Sequence, residues 1–521
     1  MTETKLPTAE SVASIDTKQF EVLKEGTASV LFPANKVFYN PVQQYNRDLS
    51  TLAIQAWSEI YADSVAKSDE KFVHEPFIQI LEALSATGLR AIRYGKEIPL
   101  VSRVIANDMS KSAVESIQRN ILHNEISSKV SPNESDAISY MHSMKSQFHV
   151  VDLDPYGTAT PFMDGAINAI KDDGLLLVTC TDLGVLAGNG YPEKCFALYG
   201  GTNVWGDATH ESALRLVLGM IANTAARQKK FIEPVLCLSI DFYVRLFIKV
   251  SSSPLKVKEL ASKTMITYKC SGCHSTHDQY LGKCTTNENA PEGNKQLAKK
   301  FGLSKGPPIG TLCPYCGFAN HVTGPMWGGK LQDATFIDKV LELQKGADPE
   351  IYGTLERIKG MLTMAKNELN TNFYFKTTTL SSVLKCSAPP IETIVTALGN
   401  LGYEASLTHA MTSAIKTNAP WEAVWFIGKK YCEKTGHTAE KMSKTGPGYN
   451  ILINDDIGKN IDIASLRGDS DEEKGLSDLE WLFTETKDNL VVKRVRKLRN
   501  VKIVRYQENP TKNWGPKARP H

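Results

Sequence analysis

The sequence predicts an α/β fold, in which a Rossmann-like sheet over residues 21–255 is followed by a zinc-containing α+β C-terminal region. Three observations predict it. From Glu75 onwards, short apolar runs alternate with helical stretches, which is the pattern of a parallel sheet with helical crossovers. Residues 234–250 then hold two apolar halves around a turn, which indicates a closing hairpin. Finally, two CxxC pairs stand in a segment that is too rich in Gly, Pro, Cys and Lys to form an apolar core.

Five strands are expected before that hairpin. They are predicted at 77–84, at 102–110, in a short run ending near Asp136, at 148–157 and at 173–182. The first is followed by GLRAIRYGKEI, and the second by a stretch from about Ser112 to His123, both with helical periodicity. The hairpin makes the last strand antiparallel, an arrangement typical of class I S-adenosylmethionine-dependent methyltransferases.

Beyond the sheet, the sequence predicts three further regions. Residues 256–330 form a zinc-binding segment, and residues 331–434 return to helical patterns, with a winged-helix-like unit around 380–403. Residues 435–480 are polar and rich in Gly, Ser and Asp, which favours a mobile linker before a basic tail. Residues 1–20 are expected to be a disordered leader.

Length and charge limit the possible classes of protein. A chain of 521 residues should hold about three domains, and 22% charged with 42% hydrophobic residues excludes a mainly disordered or collagen-like chain. The net charge of +3 argues against a nucleic-acid partner when taken alone, but residues 491–521 hold ten basic side chains against Glu508. Residues 491–521 therefore carry a net charge of +9, and residues 1–490 carry −6. The members of this basic tail predicted to contact a nucleic acid are Lys493, Arg494, Arg496, Lys497 and Arg499.

The compartment is predicted from signals that the sequence lacks. The first 20 residues hold neither an apolar secretory core nor an Arg-rich amphipathic pattern, and no run approaches the length of a membrane span. We therefore expect an intracellular protein with reduced cysteines and no membrane partner. The basic tail favours the nucleus, and the mitochondrion stays open as the alternative.

A cofactor cradle is indicated by EALSATGLR, which runs from Glu82 to Arg90, and by Asp108, 20 residues beyond Gly88. A strand, a tight turn of small residues and a helix N-terminus can hold a nucleoside cofactor, whose ribose hydroxyls a carboxylate can bind. The Asp136–Ala137 pair would then lie beside the adenine. The alternative interpretation is an ordinary strand–helix turn, since the motif has one glycine where dinucleotide sites have three.

A catalytic loop is indicated by Asp152-Leu-Asp154-Pro-Tyr156-Gly at the end of the fourth strand. This loop is similar to that of enzymes that methylate exocyclic amines of nucleobases. A carboxylate can accept the N–H of such an amine as charge builds on nitrogen, and an aromatic ring can stack on a flipped base. Asp154 is the predicted catalytic residue and Asp152 the brace. A strand-end turn is the alternative, because Asp, Pro and Gly are common there.

A four-cysteine zinc site is predicted from Cys270, Cys273, Cys313 and Cys316, since each CxxC turn presents two thiolates to one tetrahedral ion. All four positions are filled, which predicts a structural ion. The 39 residues between the pairs exceed the usual spacing, so three competing ligands stay open: His274, His277 and Cys284.

Taken together and in order, several segments closely resemble the tRNA (guanine-26-N2)-dimethyltransferase family, in particular its fungal members. The matching segments are FYNPVQQYNRDLS (38–50), LEALSATGLRAIRY, NDMS, DLDPYG, TDLGVLAG (181–188), the two CxxC pairs, GPMW (324–327) and THAMTSAIKTNAP (408–420). They span roughly residues 22–425. The first of them fits ordinary packing when taken alone, and only the resemblance gives it a function.

The resemblance implies a class I methyltransferase domain with a family-specific C-terminal domain, and two successive methyl transfers from S-adenosyl-L-methionine to the N2 amine of guanine 26 in tRNA. Asp154 would be the catalytic carboxylate, with Phe38 and Tyr156 on the two faces of the guanine. The family often has Phe at the position of Tyr156. The cofactor would be held by Arg47, Glu82, Arg90, Asp108, Asp136 and Ala137.

Two alternatives stay open at this point. One is an amino-methyltransferase that acts on another RNA or on a DNA base. The other is a zinc-ribbon RNA-binding protein whose methyltransferase sheet is catalytically dead. We expect tRNA as the partner, with no obligate protein partner and a monomeric chain.

Overall fold

A seven-stranded sheet forms the centre of the computed structural model, which describes residues 20–33, 39–68, 75–286, 298–467, 475–500 and 504. Its strand order is β5-β4-β3-β6-β7-β9-β8. The first five of these strands pair in parallel, and β9 runs antiparallel to both β7 and β8. The strands are β3 (Ile78–Glu82), β4 (Val101–Asp108), β5 (Val130–Glu134), β6 (Phe148–Leu153), β7 (Ile170–Cys180), β8 (Lys230–Ile240) and β9 (Tyr243–Ser252). The predicted α/β class and the antiparallel last strand are confirmed.

Helices cover both faces of this sheet, which is why its strands are nearly continuous apolar runs. In β6 all six residues are buried. One face packs against α4, α5 and α8, and the other against α1, α2 and α3. The helices are α1 (Gln44–Ser68), α2 (Leu89–Glu97), α3 (Lys111–His123), α4 (Ala137–Ser143), α5 (Met163–Ala169), α6 (Leu183–Leu186), α7 (Pro192–Tyr199) and α8 (Thr209–Arg227).

An N-terminal extension precedes the sheet, and its structure was not apparent from the sequence pattern. Strands β1 (Phe20–Glu25) and β2 (Ala28–Pro33) form a hairpin. Buried ion pairs join this hairpin to α1 and α2, because Glu25 contacts both Arg47 (2.5 Å) and Arg93 (2.8 Å). The predicted base-stacking residue Phe38 lies outside the described residues, as does the predicted leader up to residue 19.

The cysteine-containing segment is built of short strands rather than of an apolar core. Its sheet has the order β11-β10-β14, and β12 pairs with β13. The bounds are α9 (Pro254–Val257), β10 (Thr264–Cys270), β11 (Thr276–Tyr280), β12 (Gly282–Thr286), β13 (Lys299–Leu303) and β14 (Asn320–Trp327). Strand β14 packs on α8, where Arg215 donates to the carbonyl oxygen of Trp327 at 3.0 Å.

A winged-helix unit follows, as the sequence predicted. Its small sheet has the order β15-β17-β16, and α12 and α13 form the helix-turn-helix. The elements are α10 (Ala334–Gly346), α11 (Leu355–Lys366), β15 (Phe375–Lys376), α12 (Thr377–Leu384), α13 (Ile391–Asn400), β16 (Ala405–Ser406) and β17 (Ala414–Thr417). Helix α10 and most of the buried face of α11 pack with α1 in the core of the sheet, while Met364 of α11 belongs to the core of the winged helix.

The region predicted as a linker is folded in the part that the structure describes. The linker prediction is wrong for a physical reason: Ile451 and Ile463 are buried in the winged-helix core despite the polar composition around them, and Trp481 and Leu482, just beyond the predicted linker, are buried in the same core. The elements are α14 (Trp421–Lys434), α15 (Pro447–Ile453), α16 (Ile463–Leu466), α17 (Asp478–Phe483) and α18 (Leu490–Asn500). Nothing among the described helices has the length and apolar character needed to cross a membrane.

A buried ion network joins the sheet to the winged helix; we call it the junction network. Lys416 lies between the carboxylates of Glu211 (2.9 Å) and Glu368 (3.7 Å). Glu211 also accepts from Arg215 at 2.7 Å, and Glu368 contacts His409 Nδ1 at 2.6 Å. The other ring nitrogen of His409 accepts from the backbone N–H of Ser239 in β8 at 3.0 Å, in the Nδ1–H tautomer. His409 and Lys416 of the THAMTSAIKTNAP segment therefore hold two units together.

Candidate active site and cysteine centre

The predicted cofactor cradle is a left-handed turn between β3 and α2. Ala86 has φ +52° and Gly88 has φ +78°, and a Cβ on Gly88 would lie 3.3 Å from the Ile117 side chain. Asp108, at the end of β4, accepts hydrogen bonds from the backbone N–H groups of Ala86 (3.0 Å) and Ser110 (2.9 Å). One carboxylate thus joins the ends of two neighbouring strands. It is half-buried, so it can also face a ligand in the turn.

Glu82 supports this turn from below. Its side chain is buried, and it accepts from the hydroxyl of Ser85 (2.5 Å) and the backbone N–H of Ala91 (3.1 Å). Burial raises the pKa of Glu82 to about 8, although Arg90 opposes the shift. Glu82 therefore braces the predicted cradle.

The third predicted strand end places Asp136 at the N-cap of α4. Its carboxylate accepts from the backbone N–H of Ser139 at 2.8 Å, and this hydrogen bond lowers the pKa of Asp136. Asp136 is exposed, whereas Ala137 is buried. Because β5 lies beside β4, this pair stands next to Asp108 at the carboxyl edge of the sheet.

A second buried ion network lies under the catalytic loop; we call it the Arg90 network. Asp152 accepts from Arg245 (2.8 Å) and from the hydroxyl of Tyr94 (2.6 Å), and Arg90 lies 3.6 Å from it. Burial by itself would raise the pKa of Asp152, but Arg245 and Arg90 lower it. Asp152 is thus held as a carboxylate, in the bracing role that the sequence predicted for it.

Asp154 stands at the outer end of this network. Arg90 donates to its carboxylate, and the Asp154 side chain is 24% exposed, while that of Asp152 is fully buried. Burial disfavours the charge of Arg90, but Asp154 and the other neighbouring acidic groups raise the pKa of Arg90 well above its usual value. Asp154 is therefore the carboxylate of this network that solvent can reach.

The loop after Asp154 is fixed by the TDLGVLAG segment. The backbone N–H of Gly157 donates to Thr181 Oγ1 (2.8 Å), and the N–H of Thr181 donates back to the carbonyl oxygen of Gly157 (2.9 Å). Next to this fixed point, Tyr156 is 65% exposed. A ring so exposed can stack on a flat ligand.

Arg47 does not reach the cradle directly. Its guanidinium makes two hydrogen bonds to Glu25 (2.5 and 2.6 Å) and lies over the ring of Tyr39. One turn further along α1, the hydroxyl of Ser50 accepts from Arg245 (2.8 Å) and lies 3.4 Å from Arg90. The structure therefore connects α1 to the site through Ser50.

Sequence reasoning missed Arg245, Tyr94 and Ser50. One signal could have found Arg245, because it is a single charged residue inside the apolar run YVRLFI of β9. Such a residue is rarely buried without a partner. Tyr94 and Ser50 carry no comparable signal.

The four predicted cysteines come together in one buried group. Their sulfur atoms all lie within 4.8 Å of one another, and none of the four forms a disulfide. Backbone N–H groups of Gly272 (3.3 Å) and Cys273 (3.4 Å) point at Cys270 Sγ, as they do in thiolate metal sites. The donor set fits a tetrahedral zinc ion with no open position. In the described part of the chain, His274, His277 and Cys284 do not belong to this group.

The predicted tRNA-binding residues lie on α18, which packs on α13 through Val491, Val492 and Val495. Three of their side chains face carboxylates. The pairs are Arg494 with Glu404, Arg496 with Glu392 and Glu485, and Arg499 with Glu392. Lys493 and Lys497 are exposed. Intramolecular carboxylates therefore neutralise much of the described part of the basic tail.

Several known proteins are similar to this chain over most of its length. The family described as N2,N2-dimethylguanosine tRNA methyltransferase matches residues 16–429. A tRNA (guanine(26)-N(2))-dimethyltransferase of Saccharomyces cerevisiae, described as mitochondrial, is 47% identical over 99% of this chain and 95% of its own length. A tRNA (guanine(26)-N(2))-dimethyltransferase of Schizosaccharomyces pombe is 41% identical over 96% of this chain and 92% of its own length. The solved structure of Trm1 from Pyrococcus horikoshii with S-adenosyl-L-methionine superposes with a TM-score of 0.64 at 27% identity, covering 78% of this chain and 99% of that one.

Proposed function

The chain belongs to the N2,N2-dimethylguanosine tRNA methyltransferase family, and on that basis we propose which of its residues carry out the reaction. The enzyme transfers methyl groups from S-adenosyl-L-methionine to the N2 amine of guanine 26 in tRNA, twice, to give N2,N2-dimethylguanosine. The observation that carries the assignment of roles is the position of Asp154, partly exposed at the carboxyl edge and paired with a buried arginine.

The cofactor is assigned to the turn between β3 and α2. Bound S-adenosyl-L-methionine supplies an electrophilic methyl group. Asp108 would bind the ribose hydroxyls, Asp136 and Ala137 would line the adenine, and Glu82 would support the turn from below. Arg90 and Arg47 complete the predicted set, and Arg47 would have to exchange its pairing with Glu25 for a ligand or act through α1.

Asp154 is the catalytic carboxylate in this proposal. The lone pair of the guanine N2 amine is delocalised into the ring, so the amine is a poor nucleophile. A carboxylate that accepts its N–H hydrogen bond stabilises the positive charge that develops on nitrogen, and then takes the proton. Arg90 orients Asp154 through their ion pair and must yield part of that contact when the amine arrives.

The base is held between aromatic rings. Guanine 26 must leave its stack to reach a side chain at the sheet edge. Tyr156, which is 65% exposed and lies beside the fixed Gly157, offers one stacking face. Phe38 is proposed for the other face from the resemblance of its segment to the family.

Zinc is assigned to Cys270, Cys273, Cys313 and Cys316 in a structural role. The group is buried and lies in a segment with few apolar residues, which needs another source of stability. We expect one zinc ion per chain by elemental analysis.

The tRNA phosphates are assigned to the C-terminal region, with Lys493, Arg494, Arg496, Lys497 and Arg499 as candidates. Because three of these pair with carboxylates, phosphates must displace Glu392, Glu404 or Glu485 to bind them. We propose that the enzyme acts as a monomer and works in the nucleus. The mitochondrion is the alternative, which the description of the Saccharomyces cerevisiae relative favours.

The deciding experiment measures labelled-methyl transfer to transcribed tRNA and to the same transcript with guanine 26 replaced by adenine. Mass spectrometry of the nucleosides should show N2,N2-dimethylguanosine from the first transcript and no methylation of the second. Equal labelling of both would reject guanine 26 as the target.

A further inference from the structure

A cavity of about 580 Å³ lies where the three units of the chain meet. Its walls come from residues 206–208 before α8, from the cysteine segment around β11, and from the winged helix at 370–379 and 415–424. The volume is typical of small-molecule sites, which span about 300–1,000 Å³. Asp154, Arg90 and Asp108 do not line it, so it is separate from the active site.

The cavity lies at the same end of the sheet as Asp154. Strand β7 ends at the carboxyl edge, and the chain returns from that edge along α8 to the start of β8. Residues 206–208, just before α8, are therefore near this edge. In the strand order β6-β7-β9-β8, the outer strand is about 14 Å from β6, at about 4.8 Å per strand. The cavity wall adjoins the end of β8, because His210, two residues beyond Ala208, lies 3.2 Å from the hydroxyl of Ser239. A few nucleotides of RNA span the distance from there to β6.

Aromatic rings form part of the walls. Trp421 and Phe375 have ring centroids 5.5 Å apart, and Tyr315 stacks on His277 at 5.9 Å with 19° between the planes. All four residues line the cavity. Flat aromatic faces of this kind bind nucleobases by stacking, with little dependence on sequence.

Four lining residues carry buried polar atoms without a hydrogen-bond partner in the described part of the chain. These atoms are Thr371 Oγ1, Tyr374 OH, His274 Nδ1 and His277 Nε2. Tyr374 is only 5% exposed. These atoms are shielded from solvent even though the cavity is open, so a ligand reaches them only when the side chains around them move. The exposed amides of Asn370 and Asn418, which also line the cavity, offer hydrogen-bond donors and acceptors to a ligand directly.

The charged residues of the cavity are already engaged. Lys269 donates to the carbonyl oxygen of Trp205 and lies over its ring at 4.7 Å. Asp207 accepts from the backbone N–H of Lys376 (2.9 Å), and Asp278 accepts from Asn372 (2.8 Å). The cavity is therefore poorly suited to a phosphate or a metal ion, and well suited to a neutral, flat ring with donors and acceptors.

We propose that this cavity binds one unstacked base of the tRNA other than guanine 26, and so fixes how the RNA lies across the carboxyl edge. This inference rests on the proposed function. A free nucleoside has the same recognition chemistry, and the test below separates the two sources.

The first measurement uses Asn370→Trp, which puts bulk into the cavity from an exposed lining position. Stacking of one base contributes about 1–3 kcal/mol, so the Kd for tRNA should rise about five-fold or more. The affinity for S-adenosyl-L-methionine should stay unchanged. The matched control is Thr378→Trp, at an exposed position of α12 that does not line the cavity. Equal tRNA binding by the two variants would overturn the proposal.

The second measurement identifies the base with transcripts that carry one abasic nucleotide each. At the bound position, the abasic change should weaken binding to the unsubstituted enzyme about ten-fold and have little further effect on Asn370→Trp. If no position shows this non-additivity, the proposal fails. Equilibrium dialysis with guanosine and adenosine completes the test, because nucleoside binding without any such position would assign the cavity to free nucleosides instead. A wild-type enzyme that does not methylate tRNA would reject the proposed function, which none of these binding results does.

Discussion

Two buried ion networks organise this enzyme, and they differ in whether solvent can reach them. In the junction network, Lys416 and the carboxylates of Glu211 and Glu368 are each nearly fully buried. The Arg90 network is equally buried at Asp152, but it ends on Asp154, whose side chain is 24% exposed. Similar ionic chemistry can therefore hold units together when it is closed, and can serve catalysis when one member is open to a ligand.

Removing the carboxylate at the exposed end of the Arg90 network should have the strongest effect on activity. Asp154→Asn removes the proton acceptor while keeping the size of the side chain, so methyl transfer should fall about 10³-fold, within the usual range for a general base. Affinity for S-adenosyl-L-methionine, measured by calorimetry, should stay within a few-fold. Asp63→Asn, at an exposed site on α1, is the control and should be fully active. Substantial activity in Asp154→Asn would remove this residue from the mechanism.

Disrupting the closed network should cost stability and leave the chemistry intact. Lys416→Met removes the cation that Glu211 and Glu368 share and leaves Arg215 and His409 as their remaining partners. Loss of one partner of a buried ion pair typically costs up to about 3–5 kcal/mol of the free energy of unfolding. Urea unfolding should show that loss, with kcat per folded molecule close to wild type. Lys366→Met, which removes a more exposed ion pair with Asp338, should change stability by about 1 kcal/mol or less. Similar losses in both variants would contradict the comparison.

Two buried carboxylates, Glu368 of the junction network and Glu82 beside Arg90, should respond to pH in opposite directions. Burial would raise the pKa of Glu368, but His409 and Lys416 lower it to about 2. Because the folded state binds this proton more weakly than the unfolded chain does, Glu368 stabilises the fold above pH about 4.5 and loses that contribution as the pH falls towards 2. Glu368 contributes about 3 kcal/mol to the free energy of unfolding, since one pKa unit corresponds to about 1.4 kcal/mol. In Glu368→Gln this acid-dependent part of the unfolding free energy should be missing.

Glu82, whose carboxylate lies 3.7 Å from the Arg90 guanidinium, should show the reverse pH dependence. Burial raises its pKa to about 8, so the folded state binds the proton more tightly than the unfolded chain. Its contribution is complete below pH about 4.5 and is lost as the pH rises through 8. Glu82→Gln should therefore weaken the fall in stability between about pH 5 and 8.5 by a few kcal/mol at most. A variant that follows the wild-type profile in that range would show that Glu82 is ionised in the fold.

The weakest effect concerns cations at the surface. Lys497→Gln should lower the salt dependence of tRNA binding by about one phosphate contact, a change in log–log slope of about 0.7–0.9. Arg496→Gln should lower it by less, since Glu392 and Glu485 already hold that guanidinium. Filter binding at several salt concentrations measures both slopes. A larger change for Arg496 would show that phosphates displace its carboxylates readily.

The sequence was sufficient for features that each depend on one stretch of chain. Asp108 and Asp154 come at the ends of apolar runs, and Asp136 follows a short strand between them, so their positions at one sheet edge could be predicted from pattern and order alone. The cysteine group could be predicted because CxxC turns impose their own local geometry. The winged helix had helical periodicity that is visible without a partner.

Features that depend on distant pairing could not be predicted. Arg245 and Ser50 are 195 residues apart, and nothing local in either segment specifies their hydrogen bond. The region interpreted as a linker was misjudged because a few buried residues, such as Trp481, anchor a polar stretch that has no periodicity of its own. The charge of the tail was counted correctly, but Glu392 and Glu485, which neutralise part of it, come earlier in the chain.

Helix α11 limits how this protein can be divided. Leu355, Ile358 and Leu362 lie in the core of the catalytic sheet, while Met364 of the same helix lies in the core of the winged helix. A fragment that stops before α10 would expose the apolar side of α1, and one that begins at α11 would expose the face that the sheet normally covers. The two halves therefore cannot be exchanged independently between relatives. Chimeric proteins should fold only when α1, α10 and α11 come from the same parent.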